Sequence, residues 1–227
     1  MGLTKRQTRI LEMLSERNAS SVAELARRLD APDEIVRRDL ARLEDRGTLR
    51  RYPDGARILR SFALAGRKDP GFAVKIRIAR RALECVQEGE TLYLDSGLTV
   101  RLLAQGLRQV RNLTVVTNAP PVLGVIGRES DARIILVGGE YSGADRCCLG
   151  TMTEKELGAI HVSKVIMGAD SIDVGSGAVF ARVAHFGYIQ AVIRNAKQPI
   201  LLAESGKFNH IRGLKIVDLA QVNTIVT

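Results

Sequence analysis

Long apolar runs and a targeting segment are both missing from this chain of 227 residues. No stretch approaches the roughly 20 consecutive apolar residues that a membrane-spanning helix needs, so we expect no membrane partner. The opening residues, MGLTKRQTRI, also lack the apolar segment of a secretory signal peptide. Together these absences predict a cytoplasmic protein.

Cysteine is scarce as well. Cys85, Cys147 and Cys148 are an odd and sparse set, which argues against a disulfide framework and for reduced thiols. Cys147 and Cys148 are adjacent, so they lack the spacing of metal ligands, and we interpret them as small buried hydrophobic residues. No metal and no cofactor is predicted. Internal repeats and low-complexity tracts are absent too.

The chain does have a basic balance and enough apolar residues for a core. Its net charge is +9, and 45% of its residues are hydrophobic. Positive charge favours anionic partners such as nucleic acid, acidic membrane surfaces or phosphorylated small molecules, without choosing among them. The length fits one large domain or two modest ones. We predict one domain over residues 1–59, a linker rich in charge, Gly and Pro over 60–72, and a second domain over 73–227.

The first domain carries the pattern of three helices followed by a hairpin. Apolar residues recur at helical spacing over residues 5–17, 22–29 and 32–46. Residues 48–59, TLRRYPDGARIL, fit two short strands around a Pro53-Asp54-Gly55 turn. Two short helices, a tight turn, a basic helix and a hairpin are the elements of a winged helix-turn-helix, whose recognition helix enters the major groove of DNA.

Arginines on the third helix are the candidate DNA contacts. Val36, Leu40 and Leu43 recur at i, i+4 and i+7, so Arg38 and Arg42 point away from the core. Taken alone, such a helix is usually a solvated face, and residues 1–60 hold 14 Lys/Arg against 10 Asp/Glu, a surplus of only 4. The neighbouring helix and hairpin, rather than the charge, favour a recognition helix. The predicted DNA-binding residues are Arg37, Arg38, Arg42, Arg50, Arg51, Lys5 and Arg6.

From residue 90 onward, short apolar runs typical of strands alternate with helical patterns. The runs lie at 91–95, 113–117, 132–138, 164–169, 199–203 and 223–227. Runs such as IILV are apolar without alternation, as strands buried on both faces require. This pattern predicts a mostly parallel sheet covered by helices. The predicted fold class is therefore α/β, with a winged helix-turn-helix domain followed by a larger α/β effector domain.

Four polar loops follow these strands. In the first, Asp95 precedes Ser96-Gly97-Leu98-Thr99, which opens a helix, and free N–H groups at a helix N-terminus suit a phosphate. The others contain Asn118, Asp170 and Lys207. Each loop alone also fits an ordinary helix cap, a turn or a surface residue. Because ligands of open α/β sheets lie beyond the carboxyl ends of the strands, the four loops together predict one binding site.

Two sets of motifs resemble a known family. The strings VAELARRL, VRRDLARLEDRGTLRR and DGA resemble the N-terminal domain of DeoR-family bacterial transcription regulators. The order D-S-G-x-T, T-N, GGE, G-A-D, a Lys loop and a terminal x-I-V-T resembles their effector domain, which is similar to ribose-5-phosphate isomerase. The chain departs from the family pattern at Pro32 and Ile35, which replace Ser and Thr. It also departs at Pro53-Asp54-Gly55 in place of His-Gly-Gly, and at Ser171 and His185 in place of Gly and an acid.

The resemblance, which covers nearly the whole chain, implies a regulator rather than an enzyme, with no catalytic residue. We expect a repressor of a sugar-metabolism operon that binds double-stranded operator DNA as a homodimer or homotetramer and responds to a phosphorylated sugar. Two alternatives stay open: a regulator with a vestigial pocket, and a sugar-phosphate isomerase with an accessory N-terminal domain. The implied effector contacts are Ser96, Gly97 and Thr99 for the phosphate, and Asp95, Asn118, Asp170 and Lys207 for the sugar or for ordering the pocket.

Overall fold

The structure, a computed structural model, describes residues 4–17, 19–45, 48–58, 71–126 and 130–227. The chain divides into two compact units, Met1–Arg80 and Arg81–Thr227. This division falls inside a helix, Phe72–Leu83, so the domain boundary at residue 73 stays a prediction. The predicted linker lies outside the described residues except at its last two positions, where residue 72 already begins the helix.

Three helices and a small antiparallel sheet form the part of the first unit that the structure describes between residues 4 and 58. Ile10, Leu25 and Leu40 are buried on the stripes that the apolar periodicity predicts. Ser21 caps the second helix, because its hydroxyl accepts from the Glu24 N–H at 3.1 Å. The elements are α1 (Lys5–Arg17), β1 (Ala19–Ser21), α2 (Val22–Leu29), α3 (Asp33–Asp45), β2 (Leu49–Tyr52) and β3 (Gly55–Ile58).

Strand β1 is the part of this unit that the sequence pattern does not predict. Its residues, Ala-Ser-Ser, have no apolar alternation, and their extended conformation comes from antiparallel pairing with β3. Ser21 stands opposite Gly55 in this pairing. A Cβ atom on Gly55 would lie 2.4 Å from the carbonyl oxygen of Ser20, so the close approach of the two strands requires glycine.

From residue 72 onward, helices and strands alternate along the chain, and the first of these helices crosses the division between the two units. None of the described helices is both long and apolar enough to cross a membrane. Helix α4 (Phe72–Leu83) is followed by a turn. The alternating elements are α4 (Phe72–Leu83), β4 (Thr91–Leu94), α5 (Leu98–Leu107), β5 (Thr114–Thr117), α6 (Pro120–Ile126), β6 (Arg133–Leu136), α7 (Thr151–Gly158), β9 (Val162–Gly168), α8 (Phe186–Ile193), β12 (Ala196–Leu202) and β14 (Thr224–Val226).

Six of these strands form one parallel sheet in the order β14-β12-β9-β4-β5-β6. The predicted α/β fold class is confirmed. Leu92, Tyr93 and Leu94 are consecutive and all fully buried, which means that both faces of β4 are covered. This burial explains why the strand sequences show continuous apolar runs rather than alternation.

Short antiparallel strands, which the sequence pattern does not predict, complete the second unit. β7 (Glu140–Ser142) and β8 (Cys147–Leu149) form a hairpin. β10 (Ser171–Asp173), β11 (Ala178–Ala181) and β13 (Leu214–Asp218) form a three-stranded sheet. Most of these strands span only three or four residues, too few for a two-residue periodicity to be recognised.

The strand order of the parallel sheet reverses between β4 and β9. Strands β4, β5 and β6 progress toward one edge, whereas β9, β12 and β14 progress toward the other. Such a reversal opens a crevice outside the carboxyl ends of the two central strands. β4 ends at Leu94 and β9 ends at Gly168. The topology therefore places the segments beginning at residues 95 and 169 where ligands of open α/β sheets bind.

Candidate functional site

Helix α3 presents two arginines to solvent. Val36, Leu40 and Leu43 are buried on one side of the helix, and Arg38 and Arg42 are exposed. Within residues 4–17, 19–45 and 48–58, neither guanidinium has a hydrogen-bond or ion-pair partner. Lys5 and Arg50 are exposed and have no hydrogen-bond or ion-pair partner in the same part of the chain, although the charge of Arg50 acts on the Glu44 carboxylate. These four cations can therefore meet an anionic partner without first breaking an intramolecular bond.

Arg6, another predicted DNA contact, forms an ion pair within the first unit. Its Nε donates to Oδ2 of Asp39 at 2.5 Å, and Nε2 of Gln7 donates to Oδ1 of the same carboxylate at 3.0 Å. Asp39 and Gln7 are buried. Because a buried carboxylate needs such donors, this network anchors α1 to α3.

Arg37 and Arg51, which were also predicted to contact DNA, form hydrogen bonds between α3 and the hairpin. Arg37 donates from Nη1 to the carbonyl oxygen of Pro53 at 2.9 Å. Arg51 donates to the Glu44 carboxylate from its backbone N–H at 2.8 Å and from Nε at 2.6 Å, and these bonds lower the pKa of Glu44. These bonds hold the hairpin against α3.

The predicted effector residues come together at one edge of the parallel sheet. Four neighbouring strands, β5, β4, β9 and β12, end there. The loops that follow these strands carry the predicted effector residues, all of which have polar side chains except the glycine. We call this set the strand-end cluster, and it comprises Asp95, Ser96, Gly97, Thr99, Asn118, Asp170 and Lys207.

Asp95 is held in place by a tyrosine that the sequence analysis missed. The hydroxyl of Tyr188, on α8, donates to Oδ1 of Asp95 at 2.9 Å. Burial and the charge of Asp95 raise the pKa of Tyr188 well above its ordinary value, so Tyr188 stays a hydrogen-bond donor. Two residues after Asp95, Gly97 precedes α5 in an extended conformation, and no side chain caps this helix. Its first N–H groups are thus available to an anion.

Asn118 has both ends of its amide occupied. Tyr93 donates its hydroxyl to Oδ1 at 2.8 Å, and Nδ2 donates to the carbonyl oxygen of Cys148 at 2.8 Å. Asn118 and Tyr93 are fully buried. Of the two roles implied by the family resemblance, these bonds favour ordering of the site over direct contact with a sugar.

Lys207 and Asp170 lie beyond β12 and β9. Nζ of Lys207 donates to the carbonyl oxygen of Ala169, which ties the turn after β12 to the end of β9. The backbone N–H of Asp170 donates to the carbonyl oxygen of Phe180 at 2.9 Å, and its side chain is exposed. Asp170 is therefore the member of the strand-end cluster most open to a ligand hydroxyl.

A second carboxylate, Asp145, gathers three donors at the turn between β7 and β8. Ser142 donates its hydroxyl at 2.6 Å, Nη1 of Arg182 lies at 2.6 Å, and Nε2 of His185 lies at 3.2 Å. The serine bond, with help from Arg182 and His185, lowers the pKa of Asp145. The His185 ring also packs against Tyr188, with ring centroids 5.4 Å apart. His185 is thus one contact away from Asp95.

Ser171, another departure from the family pattern, is structural. It is fully buried, and its hydroxyl oxygen accepts from the backbone N–H of Arg212 at 2.8 Å. The serine therefore fastens β10 to the segment before β13. In the described part of the chain, no three His, Cys, Asp or Glu side chains lie together as metal ligands would.

Arg101 is a further residue that the sequence analysis missed. It lies on α5, only 5% exposed, and its Nε has no partner among the described residues. Burial, together with the charge of Arg146, lowers the pKa of Arg101 to about 10. The signal was present in the sequence, because Arg101 is the one charged residue of the α5 segment LTVRLLAQGL.

Both parts of the chain match known family models. Residues 6–62 match the DeoR-like helix-turn-helix domain, and residues 72–227 match the DeoR C terminal sensor domain. The chain is 30% identical to the lactose phosphotransferase system repressor of Lactococcus lactis subsp. lactis, over 100% of this chain and 91% of that protein. It is 29% identical to the transcriptional repressor AccR of Agrobacterium fabrum (98% and 88%). It is 27% identical to the glycerol-3-phosphate regulon repressor of Escherichia coli (100% and 91%).

Among solved structures, the chain is similar to ribose 5 phosphate isomerase A from Neisseria gonorrhoeae. The sequence identity is 16% and the TM-score 0.44, over 60% of this chain and 53% of that chain. This is a distant likeness of fold alone, and no residue role is taken from it.

Proposed function

The chain belongs to the DeoR family of transcription regulators, and from that premise we propose that it represses a sugar-metabolism operon under the control of a phosphorylated sugar. Relatives named as repressors of the lactose phosphotransferase system and of the glycerol-3-phosphate regulon support this class of regulon. The observation that carries the proposal is the presence, in one chain, of an outward-facing arginine pair on α3 and a polar strand-end cluster at a switch point.

At the DNA end, α3 enters the major groove. Arg38 and Arg42 contact base edges or flanking phosphates, since they are exposed and unpartnered in the described part of the chain. Lys5 and Arg50 contact the phosphate backbone on either side. The three engaged cations, Arg6, Arg37 and Arg51, hold the helix and the wing in the geometry that DNA requires.

At the effector end, a phosphate binds at the N-terminus of α5. Ser96 and Thr99 supply hydroxyl donors, and Gly97 leaves the first N–H groups of the helix accessible. The exposed carboxylate of Asp170 accepts from sugar hydroxyls. Lys207 is held near Asp170, because its amino group donates to the carbonyl oxygen of the preceding residue, Ala169. Asp95 and Asn118, both engaged by tyrosines, keep the site in shape.

The assembly we propose is a homodimer or homotetramer. A single helix-turn-helix binds DNA weakly, and operators usually contain paired half-sites that match the symmetry of the protein. Effector binding then favours one arrangement of the paired DNA-binding units over another. Since the chromosome of a bacterium lies in its cytoplasm, we propose that the protein acts there.

Catalysis is not part of this proposal. The amino group of Lys207 already donates to a backbone carbonyl, and Asn118, buried with both amide atoms bonded, is not placed to act on a substrate. Turnover of ribose 5-phosphate by the purified protein would overturn this part of the proposal.

The experiment couples DNA binding to effector binding. A DNA duplex is selected from a random pool with the full-length protein, and its affinity is measured by fluorescence anisotropy with and without triose, pentose and hexose phosphates. At least one compound should change the DNA affinity by about 5- to 150-fold, the usual range of allosteric coupling. If DNA binds but no compound changes the affinity or the melting temperature, the vestigial-pocket alternative is correct.

A further inference from the structure

Burial of Arg101 at its position in α5 is energetically unfavourable. Its side chain is buried in the second unit, and its Nε is sealed from water without a partner in the described part of the chain. A buried cation without an acceptor is destabilising, and native proteins normally pair such groups. A partner that is present only when a ligand binds would account for this arrangement.

Its charged neighbour makes the position less favourable still. Arg146 has the same sign, and after burial its charge is the other cause that lowers the pKa of Arg101. With a pKa of about 10, Arg101 remains a cation at neutral pH. The carboxylates of the two adjoining loops are already engaged, because Asp145 is bonded to Ser142, Arg182 and His185, and Asp95 is bonded to Tyr188.

The backbone fixes the turn that carries Arg146, and the thiol of the next residue, Cys147, bonds to Ser96 at the start of α5. Arg146 has a left-handed conformation, with φ of 58°, and its N–H donates to the carbonyl oxygen of Ser142 at 2.7 Å. The following residue, Cys147, is buried beside Asp95, whose charge adds to burial in raising the pKa of the thiol to about 11. The turn that carries Arg146 is thus fixed against the segment that opens α5.

Arg101 approaches the same region from the helix. It stands one turn after Gly97, and its backbone N–H donates to the Gly97 carbonyl oxygen at 3.0 Å. Side chains on an α-helix lean toward its N-terminus. A helix N-terminus by itself offers only about half a positive charge, whereas two guanidinium groups match the two negative charges of a phosphate monoester.

We propose that Arg101 and Arg146 form an anion-binding subsite against the first turn of α5, and that this subsite takes the phosphate monoester group of the effector. The proposal rests on the effector-binding role proposed above and adds the residues that supply full positive charge. It makes the sensor unit selective for phosphorylated over unphosphorylated sugars. Ligand binding also removes the repulsion between the two arginines, so the unliganded protein is the less stable form.

The test uses the full-length protein, with inorganic phosphate and ribose 5-phosphate as probes and ribose as the uncharged comparison. Melting temperatures are measured in phosphate-free buffer and across a titration of each probe. The wild type should be stabilised by both phosphates and not by ribose. Arg101→Met should melt at a higher temperature than the wild type without phosphate, and should bind phosphate at least tenfold more weakly.

Two further variants and a control complete the design. Arg146→Gln changes a partly exposed turn residue, so it should keep the fold and lose the phosphate response to a similar degree. Arg101→Lys keeps the charge and should retain part of the response, which also covers the case in which Arg101→Met fails to fold. Arg111→Met is the matched control, because Arg111 is exposed at the opposite ends of the strands, and both of its readings should equal those of the wild type.

The outcomes separate this inference from the proposed function. Without phosphate, Arg101→Met could melt at a lower temperature than the wild type and still bind phosphate equally well. That result would show that Arg101 is purely structural, and it would overturn the subsite. If the wild type responds to a sugar phosphate in the DNA-binding assay while Arg101→Met and Arg146→Gln respond with the same midpoint, the subsite is wrong and the regulator stands. If the wild type binds DNA but no phosphate compound, the subsite and the effector role both fail.

Discussion

Two helices of this protein use arginine in opposite ways. On α3, Arg38 and Arg42 stand among acidic neighbours in sequence, and both are exposed. On α5, Arg101 is the only charged residue of the helix, and it is buried. The exposed side chains keep their hydration and cost the fold little, whereas Nε of the buried one is sealed from water and lacks a described partner.

The difference indicates which anion each arginine is suited to bind. Exposed cations bind a long polyanion by releasing its counterions, and such binding weakens steeply with salt. A buried cation binds one compact anion, and salt screens that interaction much less. Raising the ionic strength should therefore reduce DNA binding far more than phosphate binding.

The largest expected effect tests the exposed pair. Arg38→Ala combined with Arg42→Ala should reduce DNA affinity by about 2–6 kcal/mol, at about 1–3 kcal/mol for each base-contacting arginine. If the arginines contact phosphates instead, the slope of log affinity against log salt should become shallower by about one for each lost contact. Fluorescence anisotropy at several salt concentrations distinguishes the two.

Its controls use the other helix and an unrelated surface. Arg101→Met without anions and Arg111→Ala should both bind DNA as the wild type does. A double variant that binds DNA normally at physiological salt would show that α3 is not the recognition helix.

The next effect concerns the ion pair between the exposed Arg6 and the buried Asp39. Asp39→Ala should lower the free energy of unfolding by about 2–3 kcal/mol, because it leaves the buried Gln7 without its acceptor and removes the charged bond from Arg6. Urea unfolding measures the change. Asp45→Ala, at an exposed position of the same helix, should change stability by less than about 0.5 kcal/mol. Equal losses in the two variants would contradict the anchoring role of Asp39.

A smaller effect tests the pairing of β1 with β3, which positions the hairpin. Gly55→Ala places a methyl group 2.4 Å from the Ser20 carbonyl oxygen, and backbone can yield less easily than a side chain. The expected loss of stability is about 1–3 kcal/mol, with weaker DNA binding as the wing shifts. Gly143→Ala, where an added Cβ meets nothing within 4 Å, is the matched control. A stable Gly55→Ala protein would mean that β1 and β3 can separate without cost.

The smallest expected effect is a pH dependence in the second unit. The pKa of Asp145 is lowered by the Ser142 hydroxyl and by Arg182 and His185. Its ionised form therefore contributes stability that is fully present above the ordinary pKa of 3.8 and is lost as the pH falls through the lowered value. Melting temperatures between about pH 2 and 6 should fall less steeply on acidification for Asp145→Asn. Parallel profiles for the two proteins would show that Asp145 contributes nothing to acid stability.

Much of this site could be anticipated from local sequence, and the rest could not. Asp95, Asn118, Asp170 and Lys207 each follow an apolar strand, and parallel strands bring their carboxyl ends to one edge, so their proximity follows from the fold class. Tyr188 could not be identified in this way, because its partner Asp95 is 93 residues away in the chain. The same holds for the hairpin residues around Asp145, since their strands are too short to show a period.

The sequence by itself determined the helices of the first unit, the parallel strands of the second and the outward direction of Arg38 and Arg42. These features depend on apolar periodicity within a dozen residues, and periodicity is a local property. Only the tertiary structure decided which cations are engaged, that Asn118 orders the site, and that Arg101 is buried beside Arg146 without a described acceptor. Burial and pairing depend on residues far apart in the chain that meet only when the sheet forms, and no local pattern encodes that meeting.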